Sequence, residues 1–417
     1  MVLLVVDCQK ALITDELLWK QIFIQNVKDM IAAARKNHVE VIHVIHDDGA
    51  GRELTHGMPG FEIYDEFRPE SGERVFEKCC NSAFRNTGLD VYLREKQETE
   101  VMVVGLQSDM CINATVIAGF EKGFHMIVPA FCNSTFDNCM LDAETSYRYY
   151  NEFLWPDRFA ECACINPYNR MADRNHKSLL ESTKNTRELK GYSAGSAKYT
   201  QKMTLLRSDA PVFMTESEQE KRDLAFLKRY GITTVIDMRL AEDVAEMPGF
   251  SGCADQLDYH NIPIREGDAI PESTEDVPCS YLRIAQAQSM PEVFRTIAQA
   301  REGVLFHCSA GKDRSGTVAA ILLLLAGAGR DDIVKDYMLT KENNQERFEQ
   351  IHSRHPELDM DIVIPHEEYM NTFLDLFEKK YRSAENYMLQ IGLSENEIRE
   401  IKEKVTAPRL CLTDNSF

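Results

Sequence analysis

A strand, a glycine-containing loop and an apolar helix follow one another over residues 303–325, and this succession constrains the fold most. Residues 303–306 predict a short buried strand, and residues 317–325, apolar nearly all round, predict a buried helix. The loop between them contains Gly311 and Gly316, where the backbone can turn tightly. Backbone N–H groups in such a loop point inward at the N-terminus of the helix, so the sequence predicts an oxyanion site there.

The same loop carries a cysteine and an arginine, Cys308 and Arg314, separated by five residues. A helix N-terminus favours the thiolate form of a cysteine, and a guanidinium group can hold two phosphate oxygens. Together they predict a thiolate nucleophile within a phosphate cradle, which is the chemistry of a phosphatase. The predicted phosphate-binding residues are Ser309, Ala310, Gly311, Lys312, Asp313 and Arg314. The alternative is a buried core cysteine followed by charged residues that cap the helix.

Residues 307–316 resemble the signature of the cysteine-dependent tyrosine phosphatase superfamily. Their Gly-Lys-Asp-Arg stretch resembles a mostly microbial subgroup with mixed tyrosine, serine/threonine and phosphoinositide activity. The resemblance implies that Cys308 attacks phosphorus and forms a phosphocysteine, and that Arg314 stabilises the transferring phosphoryl group. It also implies that Ser315 hydrogen-bonds the thiolate as it leaves again.

The resemblance to this subgroup extends beyond the loop. It includes the segments 185–192, 205–208, 230–239 and 365–404, and therefore spans roughly residues 185–406. It implies an α/β domain that ends in a helical C-terminal tail.

The general acid of such a reaction has to be a carboxylic acid near the phosphate. The resemblance to the subgroup maps this role to Asp313, and Asp268 is the alternative because a mobile loop could carry it over the site. The Trp-Pro-Asp sequence at residues 155–157 matches an acid loop of other tyrosine phosphatases, but it lies far before Cys308 in another predicted domain. Lys312 is either an exposed lysine at the helix start or a second cation for a multiply phosphorylated head group.

The length of the chain, 417 residues, predicts two domains, since a single hydrophobic core rarely grows so large. We predict a first domain over residues 1–168, a linker over residues 169–184 and a second domain over residues 185–417. The fold class is α/β in both domains, with a doubly wound parallel sheet in the first.

Charge and cysteine usage restrict the partners and the compartment. The formal net charge of −20 argues against nucleic-acid binding, and no apolar run is long enough for stable membrane insertion. Residues 1–6 predict a strand rather than a signal peptide, and the twelve scattered cysteines suit a reducing compartment. A cytoplasmic location is therefore expected.

The first half contains apolar strand patterns separated in part by helical patterns at 19–37 and 114–122. The strand patterns lie at residues 2–6, 39–45, 101–105, 125–128 and 160–165. Such alternation predicts a parallel sheet covered on both faces, with chemistry beyond the carboxyl ends of its strands. Asp7, Lys78 and Cys111 are the titratable residues at such positions. Taken singly, each has an ordinary explanation as a strand-end cap, a solvated lysine or a small core residue.

The segments around these three residues resemble the isochorismatase-like hydrolases over residues 1–166. The resemblance implies that Asp7 is the base, that Lys78 assists the developing charge and that Cys111 is the nucleophile. The backbone N–H groups of Met110 and Cys111 would form the oxyanion hole, beside a non-proline cis peptide. With Cys111 next to a helix N-terminus and a lysine, we expect a thiolate that hydrolyses a C–N bond of a small amide. Members of this family commonly pair, so a homo-oligomer through this domain is also expected.

No metal or other cofactor is implied by the sequence. Nicotinamidases of the same family use an Asp-x-His-x-His cluster, and the corresponding region here, residues 46–52, lacks it. His43 is expected in the core, and His46 and His56 are candidate pocket residues without a metal role.

The sequence thus predicts a bifunctional hydrolase. Its second domain would dephosphorylate phosphotyrosine or phosphoserine proteins or phosphoinositides, and its first would hydrolyse a small amide. One alternative is that the first domain is a catalytically idle binding or oligomerisation module. Another is that the phosphate loop senses phosphoinositides without turning them over.

Overall fold

The computed structural model describes residues 1–189, 204–212 and 218–406. It divides into two compact units, of which the first comprises residues 1–175 and the second begins at His176. Residues 190–192 of the phosphatase-like segment 185–192, and residues 407–417 at the end of the predicted second domain, lie outside the described residues.

The first unit, described throughout residues 1–175, contains a seven-stranded sheet in which every pair is parallel. Its strands are β1 (Val2–Val6), β2 (Glu40–His46), β3 (Arg74–Lys78), β4 (Glu100–Leu106), β5 (His125–Pro129), β6 (Asn133–Ser134) and β7 (Glu161–Ala163). The order is β3-β2-β1-β4-β5-β7, with β6 paired to β4. The predicted parallel α/β sheet is confirmed, although β3 was not among the predicted strands.

Strand β1 shows why this sheet is covered on both faces. Leu3 and Val5 belong to one hydrophobic cluster, whereas Val2, Leu4 and Val6 belong to another. Because alternate side chains point to opposite faces, an uninterrupted apolar run places a core on each side of the sheet.

The covering helices of the first unit follow the predicted alternation, with one long helix before β2. They are α1 (Lys20–Lys36), α2 (Leu89–Glu95), α3 (Asn113–Glu121), α4 (Ala143–Arg148) and α5 (Pro167–Ala172). Single 3-10 turns lie at Lys10–Leu12, Pro59–Phe61 and Asp65–Phe67. π-Helical segments lie directly before α3, at Ser108–Ile112, and directly after α4, at Tyr149–Leu154.

The predicted linker, residues 169–184, is divided between the units. Helix α5 packs against α1 in the first unit. In the second unit, the buried Asp223 carboxylate accepts the backbone N–H groups of Glu181 and Ser182 at 2.7 and 2.9 Å.

The described residues of the second unit contain a five-stranded sheet in the order β11-β10-β12-β9-β8. Its strands are β8 (Arg187–Glu188), β9 (Leu205–Ser208), β10 (Ile232–Asp237), β11 (Asp258–Asn261) and β12 (Gly303–His307). All pairs are parallel except β8 with β9. Strand β12 is the fully buried central strand, so the residues after it emerge at the middle of the carboxyl edge.

Most helices of the second unit follow β12, and three of them form the helical C-terminal region. The helices are α6 (Glu218–Arg229), α7 (Ala241–Glu246), α8 (Asp276–Ala285), α9 (Met290–Gln299), α10 (Asp313–Leu325), α11 (Arg330–Asn343), α12 (Gln345–Arg354), α13 (Met360–Val363), α14 (Glu367–Tyr381), α15 (Ala384–Gln390) and α16 (Glu395–Thr406). Single turns lie at Gly249–Cys253 and Arg265–Gly267. The predicted helical tail is confirmed by α14, α15 and α16.

Two further findings concern the environment of the chain. The cysteines among the described residues form no disulfide. Across the same residues, we find no helix with the length and apolar character needed to cross a bilayer.

Candidate active sites

The phosphate loop, residues 308–312, joins β12 to the N-terminus of α10 in the second unit. Cys308 is 3% exposed, and the Ser315 hydroxyl lies 3.3 Å from its sulfur. Gly311 has φ +65°, and a Cβ there would lie 2.7 Å from the carbonyl oxygen of Ser208, so the loop requires glycine at this position. Gly316, which we expected in the loop, instead lies within α10.

The Arg314 guanidinium is held against the loop by the segments that follow β10 and β11. It donates to the carbonyl oxygens of Met238 and Ile264 at 3.1 and 3.4 Å, and to the Ser309 hydroxyl at 3.3 Å. These contacts leave the side chain only 5% exposed. A guanidinium fixed in this way keeps a single orientation, which favours a planar two-point contact with a bound oxyanion.

Both candidate acids lie close to the loop. The Asp313 side chain is 31% exposed and its carboxylate lies 3.2 Å from the Lys312 ammonium. The Asp268 side chain is 46% exposed, with a carboxylate oxygen 4.0 Å from the Arg314 guanidinium. The interpretation of Lys312 as an exposed lysine at the helix start is wrong. This residue is 6% exposed and donates to the Val363 carbonyl oxygen at 2.7 Å.

Two residues that the sequence analysis did not single out contact the loop, Asn344 between α11 and α12 and Arg347 in the first turn of α12. The Arg347 guanidinium donates to the Ser309 carbonyl oxygen, and the Asn344 amide to the Ala310 carbonyl oxygen, both at 2.8 Å. Their sequence surroundings carry no motif that would have identified them.

The first unit brings Asp7, Lys78 and Cys111 together at the carboxyl edge of its sheet. The Lys78 ammonium lies 2.7 Å from the Asp7 carboxylate and 3.1 Å from the Cys111 sulfur. All three side chains are buried, with exposures of 1, 2 and 8%. Parallel strands β1, β3 and β4 achieve this because their carboxyl ends meet at one edge.

The pKa values of this cluster bear on the expected thiolate form of Cys111. Burial, together with the negative charge of Asp7, raises the pKa of the Cys111 thiol to about 12, and Lys78 offsets this only in part. Burial also raises the pKa of Asp7 above its usual value, against the opposing effect of Lys78. These shifts favour a neutral Cys111 thiol at pH 7 over the expected thiolate.

The turn that carries Cys111 contains a cis peptide bond between Leu106 and Gln107, as the family resemblance implied. The expected oxyanion hole needs a correction, because the Met110 N–H group donates to the Gln107 carbonyl oxygen at 3.0 Å. A donor engaged within its own turn does not serve an oxyanion. The role of the Cys111 N–H group as an oxyanion-hole donor stays a prediction.

Two of the three histidines named in the sequence analysis lie where we expected them. His46 accepts from the Lys78 ammonium with Nδ1 at 2.9 Å, and its Nε2 lies 3.0 Å from Asp48. His43 is buried at 1% exposure, whereas His56 is at the surface, 2.8 Å from Glu77. His56 is therefore not shown to line the pocket.

The ligand atoms of Asp7, His46 and Cys111 lie within 4.8 Å of one another, a spacing that could hold a metal ion. The Lys78 ammonium contacts each of these three side chains, so a second cation among them would meet direct repulsion. The donor set therefore does not fit a metal. Asp47, His56 and Glu77 form a second group with the same spacing at the surface.

Two sheets, the first parallel and the second parallel except at its β8–β9 edge, each have a cysteine beyond the carboxyl end of a central strand. They define an α/β chain with two candidate nucleophile sites. Residues 178–407, more than half of the chain, match the model described as tyrosine phosphatase family. The chain therefore belongs to the tyrosine phosphatase family. Residues 1–154 match the model described as isochorismatase domain, which confirms the second resemblance.

Individual relatives agree with this division. A tyrosine-protein phosphatase of Nostoc commune is 30% identical over 200 residues, which cover 43% of this chain and 68% of the relative. A streptothricin hydrolase of Streptomyces noursei is 29% identical over 140 residues, 32% of this chain and 54% of the relative. The crystal structure of an isochorismatase from Pseudomonas putida is 25% identical, with a TM-score of 0.38, and the match covers 39% of this chain and 86% of that one. The chain thus spans about half the length of the Streptomyces relative.

Proposed function

We propose that the second unit is a cysteine-dependent phosphatase that acts on phosphotyrosine or phosphoserine proteins or on phosphoinositides. The observation that supports this most is the buried Cys308, with the Ser315 hydroxyl 3.3 Å from its sulfur, next to the loop that Arg314 braces. Such a loop offers a nucleophile together with donors for the equatorial phosphate oxygens.

The proposed reaction has two balanced steps. The Cys308 thiolate attacks phosphorus while the bond to the ester oxygen breaks, and the leaving oxygen takes a proton from a carboxylic acid. Water then attacks the phosphocysteine, gives its proton to the same carboxylate and releases the thiolate, which the Ser315 hydroxyl stabilises. Arg314 contacts the phosphoryl oxygens in both steps. We assign the acid to Asp313, with Asp268 as the alternative.

Phosphate release from phosphotyrosine peptides, phosphoserine peptides and phosphoinositides tests the proposal. Wild type and Cys308→Ser would be compared on each substrate across pH. Turnover that depends on Cys308 supports a phosphatase, and the preferred substrates name its class. An inactive wild type that binds phosphate would favour the phosphoinositide-sensing alternative.

The acid assignment predicts a contrast between substrates. Asp313→Asn should lower kcat for alkyl phosphates such as phosphoserine peptides by about a hundredfold or more, because their leaving oxygen needs a proton. It should affect p-nitrophenyl phosphate far less, since nitrophenolate departs without protonation. Steady-state kinetics over pH 5–8 measures both.

Asp268→Asn is the matched control, because this carboxylate also lies near the loop. If Asp268→Asn shows the substrate contrast and Asp313→Asn does not, the acid is Asp268.

For the first unit we propose hydrolysis of a C–N bond in a small amide or carbamoyl compound. The contacts of the Lys78 ammonium with both the Asp7 carboxylate and the Cys111 sulfur support it. The thiol would transfer its proton to Asp7 as the sulfur attacks the carbonyl carbon, and Asp7 would then protonate the departing amine or ammonia. Water would release the acyl group from Cys111. The name of the streptothricin hydrolase relative agrees with hydrolytic chemistry in this family.

Ammonia or amine release from a panel of small amides, with Cys111→Ala as the comparison, tests this second activity. The alternative, an idle binding or oligomerisation module, predicts no Cys111-dependent release from any compound. We further propose that the chain works in the cytoplasm, in line with the absence of disulfides among its described residues.

Alkylation of Cys111 should be slow at pH 7, since only the thiolate reacts and burial raises the pKa of this thiol to about 12. We expect a rate at least about tenfold below that of Cys139, an exposed cysteine of the same unit. Asp7→Asn should speed the reaction, because the Asp7 charge raises the pKa of Cys111, and Lys78→Met should slow it further.

Iodoacetamide labelling followed by peptide mass spectrometry measures both cysteines in one sample. Equal rates for Cys111 and Cys139 at pH 7, or the same direction of change in both variants, would contradict the neutral resting thiol.

A further inference from the structure

Three successive carbonyl groups of the phosphate loop accept hydrogen bonds from groups elsewhere in the second unit. The Ser309 carbonyl accepts from Arg347 at 2.8 Å and from the Ala210 N–H group at 3.3 Å. The next carbonyl, of Ala310, accepts from Asn344 at 2.8 Å and from the Asn185 amide at 3.2 Å.

The third carbonyl, of Gly311, is bonded most tightly by a charged group. It accepts from the Arg207 guanidinium at 2.7 Å and from the Asn185 amide at 3.3 Å. Arg207 lies on β9, next to β12, and is 1% exposed.

The orientation of these carbonyls determines that of the donors. In a planar trans peptide, the N–H group points opposite to the carbonyl of the preceding residue. Carbonyls of Ser309, Ala310 and Gly311 that point outward therefore turn the N–H groups of residues 310, 311 and 312 toward the inside of the loop. These are the donors that an oxyanion cradle needs.

Asp336, on α11, links the outer contacts to one another. Its carboxylate accepts from Arg187 Nε at 3.0 Å and from Arg207 Nη1. Arg187 in turn donates to the side-chain oxygen of Asn185 and to its carbonyl oxygen at 3.2 Å. Asp336 thus orients Arg207 directly and Asn185 through Arg187.

Burial and charge indicate that this network positions the loop carbonyls more than it stabilises the folded second unit. Asp336 is 2% exposed, and although burial acts to raise its pKa, Arg187 and Arg207 hold that pKa below its usual value. Buried ion pairs of this kind are often no more stabilising than apolar residues of the same volume. An apolar replacement, however, could not donate to the Gly311 carbonyl.

We propose that Asp336, Arg207, Asn185 and Asn344 are positioning residues that set the affinity of the phosphate loop for phosphate oxyanions. None of them touches the substrate, and each acts by turning loop carbonyls outward. This inference rests on the proposed phosphatase function of the second unit.

Asp336→Asn tests the network, with Tyr387→Phe as the control. The Tyr387 hydroxyl is buried in the same unit and donates to the Ala285 carbonyl oxygen at 2.6 Å, away from the loop. We would measure the Kd of inorganic phosphate by titration calorimetry on the full chain, KM and kcat for p-nitrophenyl phosphate, and the Tm.

We expect Asp336→Asn to weaken phosphate binding and to raise KM by about tenfold or more, because a small displacement of the donors disrupts the cradle. Tyr387→Phe should lower the Tm while leaving phosphate affinity within about twofold, since it removes only a remote hydrogen bond. A folded Asp336→Asn protein with unchanged phosphate affinity would overturn the proposal.

Asn344→Ala keeps the proposal testable where Asp336→Asn does not fold. It removes one donor to the Ala310 carbonyl without touching the ion pairs, and we expect a threefold to tenfold loss of phosphate affinity, about the effect of a displaced donor. Unchanged affinity in this variant counts against the network. If the wild type turns over substrate and the variants bind phosphate normally, only the proposed network is overturned. If the wild type neither binds phosphate nor turns over substrate, the proposed phosphatase function is overturned as well.

Discussion

A Cys308→Ser protein is expected to lose at least about a thousandfold in kcat on p-nitrophenyl phosphate while it still binds inorganic phosphate. A serine hydroxyl is a far weaker nucleophile than a thiolate, and no neighbouring base among the described residues contacts the Cys308 side chain to activate it. Phosphate binding should persist because the loop N–H groups and Arg314 remain. Steady-state kinetics and titration calorimetry on the same preparations measure the two effects.

Cys279→Ser is the matched control, since this cysteine is exposed on α8 of the same unit. It should leave both quantities at wild-type values. Residual turnover by Cys308→Ser above about a tenth of wild type would mean that another group attacks phosphorus, and the phosphocysteine mechanism would be abandoned.

Gly105→Ala is expected to unfold the first unit locally or completely, with a loss of more than about 3 kcal/mol in its free energy of unfolding. Gly105 on β4 pairs with Val6 on β1, and a Cβ there would lie 2.0 Å from the Val6 carbonyl oxygen. Its φ of +127° is also a conformation that side chains rarely adopt. The substitution therefore separates the strands that carry Asp7 and Cys111.

Gly123→Ala provides the control, because Gly123 also has a positive φ, +86°, but has nothing within 4 Å of the added Cβ. Gly123→Ala should lower the free energy of unfolding of the first unit by about 1 kcal/mol, from backbone strain alone. Both tryptophans of the chain, Trp19 and Trp155, lie in the first unit, so their fluorescence in urea reports on that unit. The proposed phosphatase activity of the second unit serves as an internal reference. Equal urea midpoints for the two variants would contradict the close approach at Gly105.

Sequence patterns predicted the elements whose residues are uniformly apolar. Strands β1 and β12 are buried throughout and helix α10 is buried except at Asp313 and Leu324, so their apolar runs identified them. Strand β3 was not predicted because it is a largely exposed edge strand without an apolar face, with the sequence Arg-Val-Phe-Glu-Lys. The position of Lys78 at its end was therefore expected from the family resemblance and not from periodicity.

The candidate sites were predictable to the extent that they depend on local sequence. The loop between Cys308 and Arg314 is one continuous segment, so its motif is visible. Burial is not visible in this way, although it raises the pKa of the Cys111 thiol and makes Lys312 a buried donor. The direction of a single N–H group, as at Met110, depends on backbone angles that no residue pattern specifies.

The outer contacts of the phosphate loop have a consequence for the biosynthesis of the chain. Cys308 and Arg314 are synthesised before Asp336, Asn344 and Arg347, which hold the loop from α11 and the start of α12. A nascent or truncated polypeptide that ends before α11 carries the reactive residues without these groups that bond the loop carbonyls. Premature termination or proteolysis in this region should therefore release inactive fragments, so that dephosphorylation is confined to chains that have been completed through the α11–α12 segment.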